Sequence, residues 1–372
     1  MALKKLKLRD VCEIDGARNL HSNIPYVGME DIESNTGRFL GQLTPRGVKS
    51  ITFYFTPEHL LYGRLRPYLN KVLLPGFSGH CSTEIFPLKP KGLIDKTFLF
   101  YWITSESVVA KINKTCTGAR MPRANMEQVF NFGIPVPSLQ EQKRIVAILD
   151  EAFGAIAKAK EKAEKNFANA RELFDSYLHS VFATPGNDWE VKTLPQISEN
   201  LDGRRIPITR SKRKSGKYPY YGASGIVDHV AEYIFDEDLL LISEDGANLL
   251  ARVTPIAFSV SGKLWVNNHA HILKFKNLET QKYVERYFAS IKLDAYITGA
   301  AQPKLNQSAL NSIVIPVPPL SEQRYIVAKL DTLSAETKKL EAIYQEKLSD
   351  FEELKKSILQ KAFSGELAGA HS

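Results

Sequence analysis

Cysteine is scarce in this 372-residue chain, which has only Cys12, Cys81 and Cys116. Three cysteines, all in the first half and without Cys-x-x-Cys spacing, build neither a disulfide framework nor a zinc site, and they favour a reducing compartment. No apolar run approaches the roughly 18 residues that a membrane-spanning helix needs, and the N-terminus has no apolar signal core. We therefore expect a soluble, cytoplasmic protein without a membrane segment.

Motifs that carry catalysis are also missing. The chain has no Asn/Asp-Pro-Pro-aromatic motif, with which amino-methyltransferases hold the target amine, and no Gly-x-x-x-x-Gly-Lys-Ser/Thr loop. Gly-x-Gly-x-x-Gly and His-Glu-x-x-His are absent too. We expect no catalytic residue and no metal site in this chain.

Three fragments could be mistaken for active-site residues. Asp188, Glu190 and Lys192 spell part of a metal-dependent nuclease pattern, but the pattern needs a separately placed Asp to complete the metal cage. His269 and His271 share one face of a predicted strand, where they either pair on a metal or serve polar packing or DNA contact. The acidic run 236–238 reads as a solvated turn before a strand.

What the chain does have is an internal repeat. The segment 117–150 returns as 298–331, shifted by 181 residues without a gap, and about half of its positions are identical. Ile-Pro-Val-Pro, Glu-Gln and Ile-Val-Ala recur in the same order. A repeat with a single period across half the chain indicates two copies of one structural unit, and hence a protein that binds something with two halves.

Each copy reads as a mixed segment followed by a long helix. Strands are predicted near 51–55 and 239–242 and a helix over 98–109, and no proline follows the Pro-x-Pro segments for over 40 residues. Ser138 and Glu141 have the spacing of a capping box. We predict an α+β fold: two globular domains separated by two long antiparallel coiled-coil helices, with an internal pseudo-two-fold repeat. The predicted bounds are 1–137 and 185–318 for the domains, 138–184 and 319–363 for the helices, and 364–372 for a C-terminal tail.

The helix pairing rests on a seam with a 3.5-residue period. In the second helix the seam is bulky and consists of Ile326, Leu330, Leu333, Thr337, Leu340, Tyr344, Lys347, Phe351, Leu354 and Ile358. In the first helix it is rich in alanine and consists of Ile145, Leu149, Ala152, Ile156, Ala159, Ala163, Asn166, Ala170, Leu173 and Tyr177. An alanine-rich face lets a partner helix approach closely. Two alternatives stay open: each helix covers only its own domain, or the helices pair in parallel.

These residues together resemble the specificity subunit of type I restriction–modification systems. The resemblance rests on the Thr-Gly-Ala to Ile-Pro-Val-Pro run, Glu-Gln, Ile-Val-Ala and the long helix, in both copies, and on the ending 357–367. It implies that the two globular domains are target-recognition domains of a non-catalytic subunit, each of which reads one half of a split, asymmetric DNA target. It also implies two adenine-methyltransferase partner subunits, restriction subunits that join them, and S-adenosylmethionine bound by those methyltransferases rather than by this chain. Free subunits of this kind are expected to self-associate.

The formal charge of +8 agrees with double-stranded DNA as a partner. Arginine suits both guanine edges and phosphates, and Asn or Gln suits adenine. We therefore predict DNA contacts at basic and amide residues of both domains: Arg46, Lys49, Arg64, Arg66, Arg120, Arg123, Arg204, Arg205, Lys212, Arg213, Lys214, Lys217, Asn248, Gln302 and Lys304. The simpler interpretation is a solvated basic surface.

Two identical partners need two similar surfaces, and the repeated segments supply them. The predicted partner-binding residues are Pro135, Pro137, Glu141, Gln142, Pro316, Pro318, Glu322 and Gln323. Alternatively, these residues repeat because they form the structural frame. Two other functions remain open at this point, a nuclease that uses Glu190 and Lys192, and a coiled-coil adaptor that reads no DNA sequence.

Overall fold

The computed structural model describes residues 4–299 and 301–366. Ala300 of the repeated Thr-Gly-Ala run and most of the expected C-terminal tail lie outside these residues. The chain forms two compact units. Unit 1 comprises residues 1–164 and 346–372, and unit 2 comprises residues 165–345. Within the described ranges, no helix is long and apolar enough to cross a membrane.

The strands follow a corresponding order in the two halves of the chain, whereas the short helices differ between them. The strands are β1 Lys5–Lys7, β2 Cys12–Ile14, β3 Arg18–Asn19, β4 Tyr26–Val27, β5 Thr52–Phe55, β6 Leu60–Gly63, β7 Val72–Leu73, β8 Gly79–Cys81, β9 Ile85–Pro90, β10 Gly133–Pro135, β11 Glu190–Thr193, β12 Ser198–Asn200, β13 Ser215–Gly222, β14 Gly225–Val230, β15 Phe235–Asp236, β16 Leu239–Ser243, β17 Ala257–Val260, β18 Lys263–Val266, β19 Ala270–Phe275 and β20 Val314–Val317. The helices are α1 Leu8–Val11, α2 Lys96–Thr104, α3 Glu106–Asn113, α4 Met126–Val129, α5 Leu139–Ala183, α6 Leu194–Ile197, α7 Asn248–Ala251, α8 Leu278–Ser290, α9 Gln307–Ser312 and α10 Leu320–Ser364.

Two of the sheets are common to both units. A two-stranded antiparallel sheet joins β1 to β10 in unit 1 and β11 to β20 in unit 2. A four-stranded antiparallel sheet has the order β2-β9-β6-β7 in unit 1 and β12-β19-β16-β17 in unit 2. Its central strands β6 and β16 are buried along their whole length, because each is a continuous apolar run that suits a strand covered on both faces.

The third sheet differs between the units. It has the order β3-β5-β8-β4 in unit 1 and β14-β13-β18-β15 in unit 2. Each has one parallel pair, β4 with β8 at the edge of the sheet in unit 1 and β13 with β18 at its centre in unit 2. Unit 1 adds its extra strand β3 beside β5, whereas unit 2 adds β14 beside β13. The two units therefore share a frame and diverge in this sheet and its loops.

The long helices α5 and α10 run antiparallel in each unit. In unit 1, Lys160 bonds Glu352, and Ile145 and Leu149 near the start of α5 share a core with Leu359 near the end of α10. The same direction holds in unit 2. There Arg171 bonds Glu341, and Phe182 near the end of α5 shares a core with Ile326 near the start of α10. The predicted fold class is confirmed, and the parallel and unpaired alternatives are excluded.

The predicted seam is only partly correct. Ile145, Leu149, Ala163 and Ala170 are buried, as are Ile326, Leu330 and Thr337. Leu173, Leu340 and Leu354 are instead exposed, and Leu178, Phe182 and Leu359 are buried off the predicted register. A helix with 3.6 residues per turn drifts from a strict 3.5 repeat, so a seam extrapolated over 45 residues loses the buried face.

Local predictions also need correction. The helix predicted over 98–109 is two helices, α2 and α3, because Ser105 between them is extended and its side chain bonds the Trp102 carbonyl. The capping box at α5 is half formed: the Ser138 hydroxyl accepts a hydrogen bond from the Glu141 N–H, while the Glu141 carboxylate turns to Arg144. The acidic run is not simply solvated, since Glu237 pairs with Arg204 and Lys274.

All three cysteines are free thiols, as the sequence predicts. Burial raises the pKa of Cys12 to about 12 and raises that of Cys81 as well. These thiols are therefore protonated at neutral pH and fill core space.

Candidate functional site

Two loops meet at one end of the central sheet in unit 1. Residues 64–70 follow β6, and residues 117–124 form a hairpin closed by two hydrogen bonds between the backbones of Thr117 and Arg123. The N–H of Arg66 donates to the carbonyl of Pro122 at 2.7 Å, and the N–H of Ala124 donates to the carbonyl of Arg64 at 2.9 Å. We call these segments the first loop pair.

A single carboxylate fixes the base of the first loop pair. Glu84, at the start of β9, accepts hydrogen bonds from Arg64 at 3.1 Å and from Arg123 at 2.9 Å. Burial acts to raise the pKa of Glu84, but the hydrogen bonds and charges of Arg123 and Arg64 outweigh it and hold that pKa below its ordinary value. The two arginines are thus neutralised within their own domain and position the loops.

Unit 2 has a second loop pair, residues 244–254 with 298–299 and 301–305, at the equivalent end of its sheet. The N–H of Gly246 donates to the carbonyl of Pro303, and the N–H of Leu305 donates to the carbonyl of Glu244. Glu244 pairs with Lys304 at 3.2 Å and with Arg205 at 2.5 Å. In unit 2 the acidic residue follows the central strand β16, at the place where unit 1 has Arg64 after β6. Salt bridges therefore hold both loop pairs, but the acidic and basic residues lie at different positions.

A buried histidine completes the charged cluster of unit 2. The Nε2 of His271 faces the carbonyl of Leu305 at 2.8 Å, and its Nδ1 faces a carboxylate oxygen of Asp202 at 2.5 Å. Burial acts to raise the pKa of Asp202, whereas the hydrogen bond and charge of His271 lower it overall. The pKa of Glu244 is likewise below its ordinary value, because the hydrogen bond from Arg205 and the charge of His271 outweigh its burial.

Asp202, Glu244 and His271 are also the one group of side chains with metal-ligand geometry that the described parts of the chain bring together. Arg205 lies within the group, 2.5 Å from Glu244 and 3.6 Å from Asp202, so both carboxylates already have a cationic partner. His269 does not join His271; it pairs with Asp245 at the surface. The arrangement is an ion-pair network that orders the domain.

The nuclease fragment is a surface ion pair. Glu190 and Lys192 lie on β11 and bond each other at 2.7 Å. They do not belong to the metal-capable group. This geometry is explained by the place of both residues in the two-stranded sheet and gives no support to metal-dependent cleavage.

The predicted DNA-binding cations fall into two classes. In the first class the cations are paired inside their domain. Besides Arg64, Arg123, Arg205 and Lys304, Arg204 bonds Glu237, and Arg213 bonds Asp228 while covering the ring of Tyr220. Arg46 stacks on Tyr26 and lies 3.8 Å from Glu30. These residues mainly shape the surface.

The second class is exposed and, among the described residues, has no carboxylate within salt-bridge distance. Its members are Lys49, Arg66, Arg120, Lys212, Lys214 and Lys217. In unit 1 Arg66 and Arg120 belong to the first loop pair; in unit 2 the lysines cluster on 212–217, at the start of β13. Gln302 is exposed at the tip of the second loop pair, whereas both polar groups of the Asn248 amide bond the backbone of Thr254.

Half of the predicted partner-binding residues are buried, among them both glutamines. Gln142 is 0% exposed, and its side-chain amide bonds the backbone of Leu93, Asp95 and Pro137. Gln323 is buried too and bonds Thr280 and Pro318. The structure thus gives these glutamines a role in tying each long helix to its domain, and their burial leaves no surface for a direct partner contact.

The remaining residues of that set are divided between the interior and the surface. Pro135 and Pro318 are buried, and Pro137 and Pro316 are partly so. Glu141 bonds Arg144, and Glu322 accepts a hydrogen bond from the Trp189 indole.

Two further features were missed by sequence reasoning. The first is the pair of carboxylates that organise the loops, Glu84 and Glu244, which no motif marks. The second is a pair of leucines at the first turn of each long helix: Leu139 is 44% exposed, and Leu320, its equivalent in the repeat, is 45% exposed. Their position in the copied segment was a usable signal, but leucine at a helix start is ordinarily assigned to the core.

A family model and several known proteins match parts of this chain in both of its halves. The family model for the type I restriction modification DNA specificity domain matches twice, over 3–165 and 186–348. A putative type I restriction enzyme specificity subunit of Haemophilus influenzae is 36% identical over 152 residues, which are 41% of this chain and 39% of that protein. The EcoDI specificity subunit of Escherichia coli is 28% identical over 44% of this chain and 36% of its own length. The first two relatives are thus matched over less than half of their length. The EcoprrI specificity subunit of Escherichia coli is 25% identical over 88% of this chain and 84% of its own length.

Solved structures share the fold at low sequence identity. A chain from a study of complex assembly and conformational transition of the type I R-M system superposes with a TM-score of 0.80 at 19% identity, over 97% of both chains. The HsdS subunit of Thermoanaerobacter tengcongensis gives 0.68 at 19% identity, over 97% of this chain and 96% of that one. With two copies of the family domain spanning most of its length, this chain belongs to the family of type I restriction–modification DNA specificity subunits.

Proposed function

We propose that this chain reads a split, asymmetric DNA target, one half-site per unit, and carries two adenine-methyltransferase subunits together with restriction subunits. The observation that carries this proposal is the unequal divergence of the two copies. They share the helices and two sheets, but they differ in the third sheet and in the placement of their exposed cations. A common frame suits identical partners, and different surfaces suit different half-sites.

In this proposal the chain itself is non-catalytic and binds no cofactor. S-adenosylmethionine would be held by the methyltransferase subunits. Supporting this division of labour, the side chains with metal-ligand geometry in the described ranges are already ion-paired. Methylation of a base requires the base to leave the stack, so in this proposal the chain also helps to distort the duplex.

The partner surface is proposed to include the exposed leucines of the copied segments. Leu139 and Leu320 are exposed to the same extent at equivalent positions, and Leu173 and Leu354 form a second equivalent, exposed pair farther along the helices. Exposed apolar side chains that recur at equivalent sites are what two identical partners would cover. They also supply a reason for self-association of the free subunit.

Native mass spectrometry of the reconstituted complex tests the partner surface. Leu139→Glu and Leu320→Glu should each reduce the number of bound methyltransferase subunits from two to one, and the double variant should bind none. Leu40→Glu, at an exposed leucine outside the repeated segment, is the matched control and should still bind two. Retention of two partners by both single variants would mean that the repeated segment serves only as a frame.

DNA reading is tested by the spacing between half-sites. Half-sites on one face of a duplex lie roughly 34–36 Å apart per helical turn, and the long helices are proposed to set that spacing. Four residues inserted into each helix in concert should change the number of unspecified base pairs between the half-sites in a methylation assay. An unchanged gap would eliminate the helices as the ruler.

A further inference from the structure

The backbone of Arg66 adopts a conformation that favours glycine. Its φ is +49°, in the left-handed region, and the equivalent position of the second loop pair is Gly246 with φ of +109°. The hydrogen bond from its N–H to Pro122 holds this conformation in place. A residue with a side chain persists in such a conformation where the surroundings over-determine it, and such outliers cluster at functional sites.

Among the described residues, no salt bridge of the Arg66 side chain offsets the cost of this backbone conformation. It is exposed, and no carboxylate among the described residues lies within salt-bridge distance of it. Arg64, two residues earlier, is bound to Glu84 instead. Within this loop, Arg64 is therefore held by Glu84, whereas the exposed side chain of Arg66 projects from the loop.

Arg120 adds a second unpaired cation to the same loop pair. It lies in the hairpin that Arg66 bonds through Pro122, again exposed and, in the described ranges, without a carboxylate partner. Tyr68 and Met121 are the exposed large side chains beside these arginines in sequence. Because Glu84 fixes the two loop segments through Arg64 and Arg123, the backbones that carry Arg66 and Arg120 are held in place. Arginine side chains form bidentate hydrogen bonds that match the O6 and N7 acceptors of guanine in the major groove.

The second loop pair offers different chemistry. Gly246 replaces Arg66 and Ala301 replaces Arg120, while Lys304 is bound to Glu244. Its exposed side chains include Leu250, Val253 and Gln302, whereas Arg252 is half-buried and donates a hydrogen bond to the Phe288 carbonyl. Within the described residues, the tip of this loop pair therefore presents apolar and amide groups in place of unpaired arginines.

We infer that Arg66 and Arg120 are specificity-determining residues, which read a G·C base pair in the half-site bound by unit 1. This inference rests on the proposed function and adds to it the base pair and the side chains that read it. Glu84 is a positioning residue that acts through Arg64 and Arg123. An arginine that only neutralised phosphates would strengthen binding equally for every sequence.

The test is methylation of a randomised DNA library by the complex of full-length chain and methyltransferase subunits. Arg66→Gly copies the residue of the second loop pair and relieves the backbone strain, so it should leave the melting temperature unchanged or higher. Arg120→Ala removes the second cation. Lys89→Ala, at the opposite end of β9 and paired with Asp15, is the control.

Each arginine variant should lose discrimination by about 5- to 150-fold at one G·C pair of one half-site, with the other half-site still read as in the wild type. The control should retain the full target. A uniform loss of methylation at all sequences would assign the arginines to phosphates, and relaxation at an A·T pair or no relaxation would overturn the inference too. Those results leave the proposed function standing, which fails only if the wild-type complex shows no bipartite target.

Discussion

Replacement of Gln142 by alanine should destabilise unit 1 without touching any partner surface. The buried amide oxygen accepts a hydrogen bond from the Asp95 N–H at 2.8 Å, and its nitrogen donates to the carbonyls of Leu93 at 3.0 Å and Pro137 at 2.9 Å. The variant leaves one buried donor and two acceptors without this partner. A buried group left unsatisfied costs about 1–3 kcal/mol, and carbonyls with a second lone pair or access to water cost less, so we expect a total loss of about 2–4 kcal/mol.

The assay combines urea denaturation with hydrogen–deuterium exchange of the segment around Asp95, whose amide should lose protection. Gln140→Ala, two residues earlier in the same helix and exposed, is the control and should change stability by no more than about 0.5 kcal/mol. Gln323→Ala removes two hydrogen bonds rather than three and should cost less than Gln142→Ala. Wild-type stability of the Gln142 variant with loss of methyltransferase binding would refute the buried role and restore Gln142 as a partner contact.

Three further predictions concern the frame. Gly154→Ala should raise the free energy of unfolding by up to about 1 kcal/mol, because a Cβ at this position of the long helix meets nothing within 4 Å. Gly118→Ala should lower the free energy of unfolding, since φ is +91° and the Met121 carbonyl lies 3.2 Å from the added Cβ. Equal thermal denaturation curves for the two variants would contradict this contrast. Glu84→Gln should lower the melting temperature at pH 7, because a carboxylate whose folded-state pKa is depressed stabilises the fold above its unfolded pKa of about 4.3. The difference from the wild type should shrink as the pH falls from there through the folded-state pKa of Glu84, and a difference that stays constant at all acid pH values would contradict the ion-pair explanation. Lys160→Ala should lower the free energy of unfolding by less than about 1 kcal/mol, and this difference should vanish in 1 M salt, since the salt bridge to Glu352 is largely exposed. A larger loss in urea denaturation that does not depend on salt would contradict the interpretation of this pair as a surface salt bridge.

The parts of the fold that repeat in the sequence were the parts that the sequence predicted well. The recurrence of Ile-Pro-Val-Pro and Glu-Gln and the absence of proline over the next 40 residues predicted two copies, each with a long helix, and the alanine-rich and bulky seams predicted that the helices pair. The buried side of those helices was predicted less well, since a 3.5-residue period fitted to the first heptads places Leu173 and Leu354 in the seam, where they are exposed.

The charged residues show why site prediction from sequence is harder. Arg64 and Arg66 are equivalent as residue types, yet one is fixed by Glu84, which lies 20 residues away in the chain, and the other projects from the loop. Only the pairing of β6 with β9 brings Glu84 to Arg64, and that pairing has no local sequence signal. Likewise, the recurrence of Gln142 as Gln323 in the repeat does not distinguish a residue that contacts a partner from a buried residue that forms several hydrogen bonds within its domain.

The central claim, that one subunit reads two different half-sites, is tested most directly by mapping methylated adenines across the host genome with and without this chain. The account predicts one bipartite motif with two unlike half-sites and a fixed gap, present in the wild type and lost when the chain is deleted. A single contiguous motif, or a methylation pattern that does not depend on the chain, would contradict it.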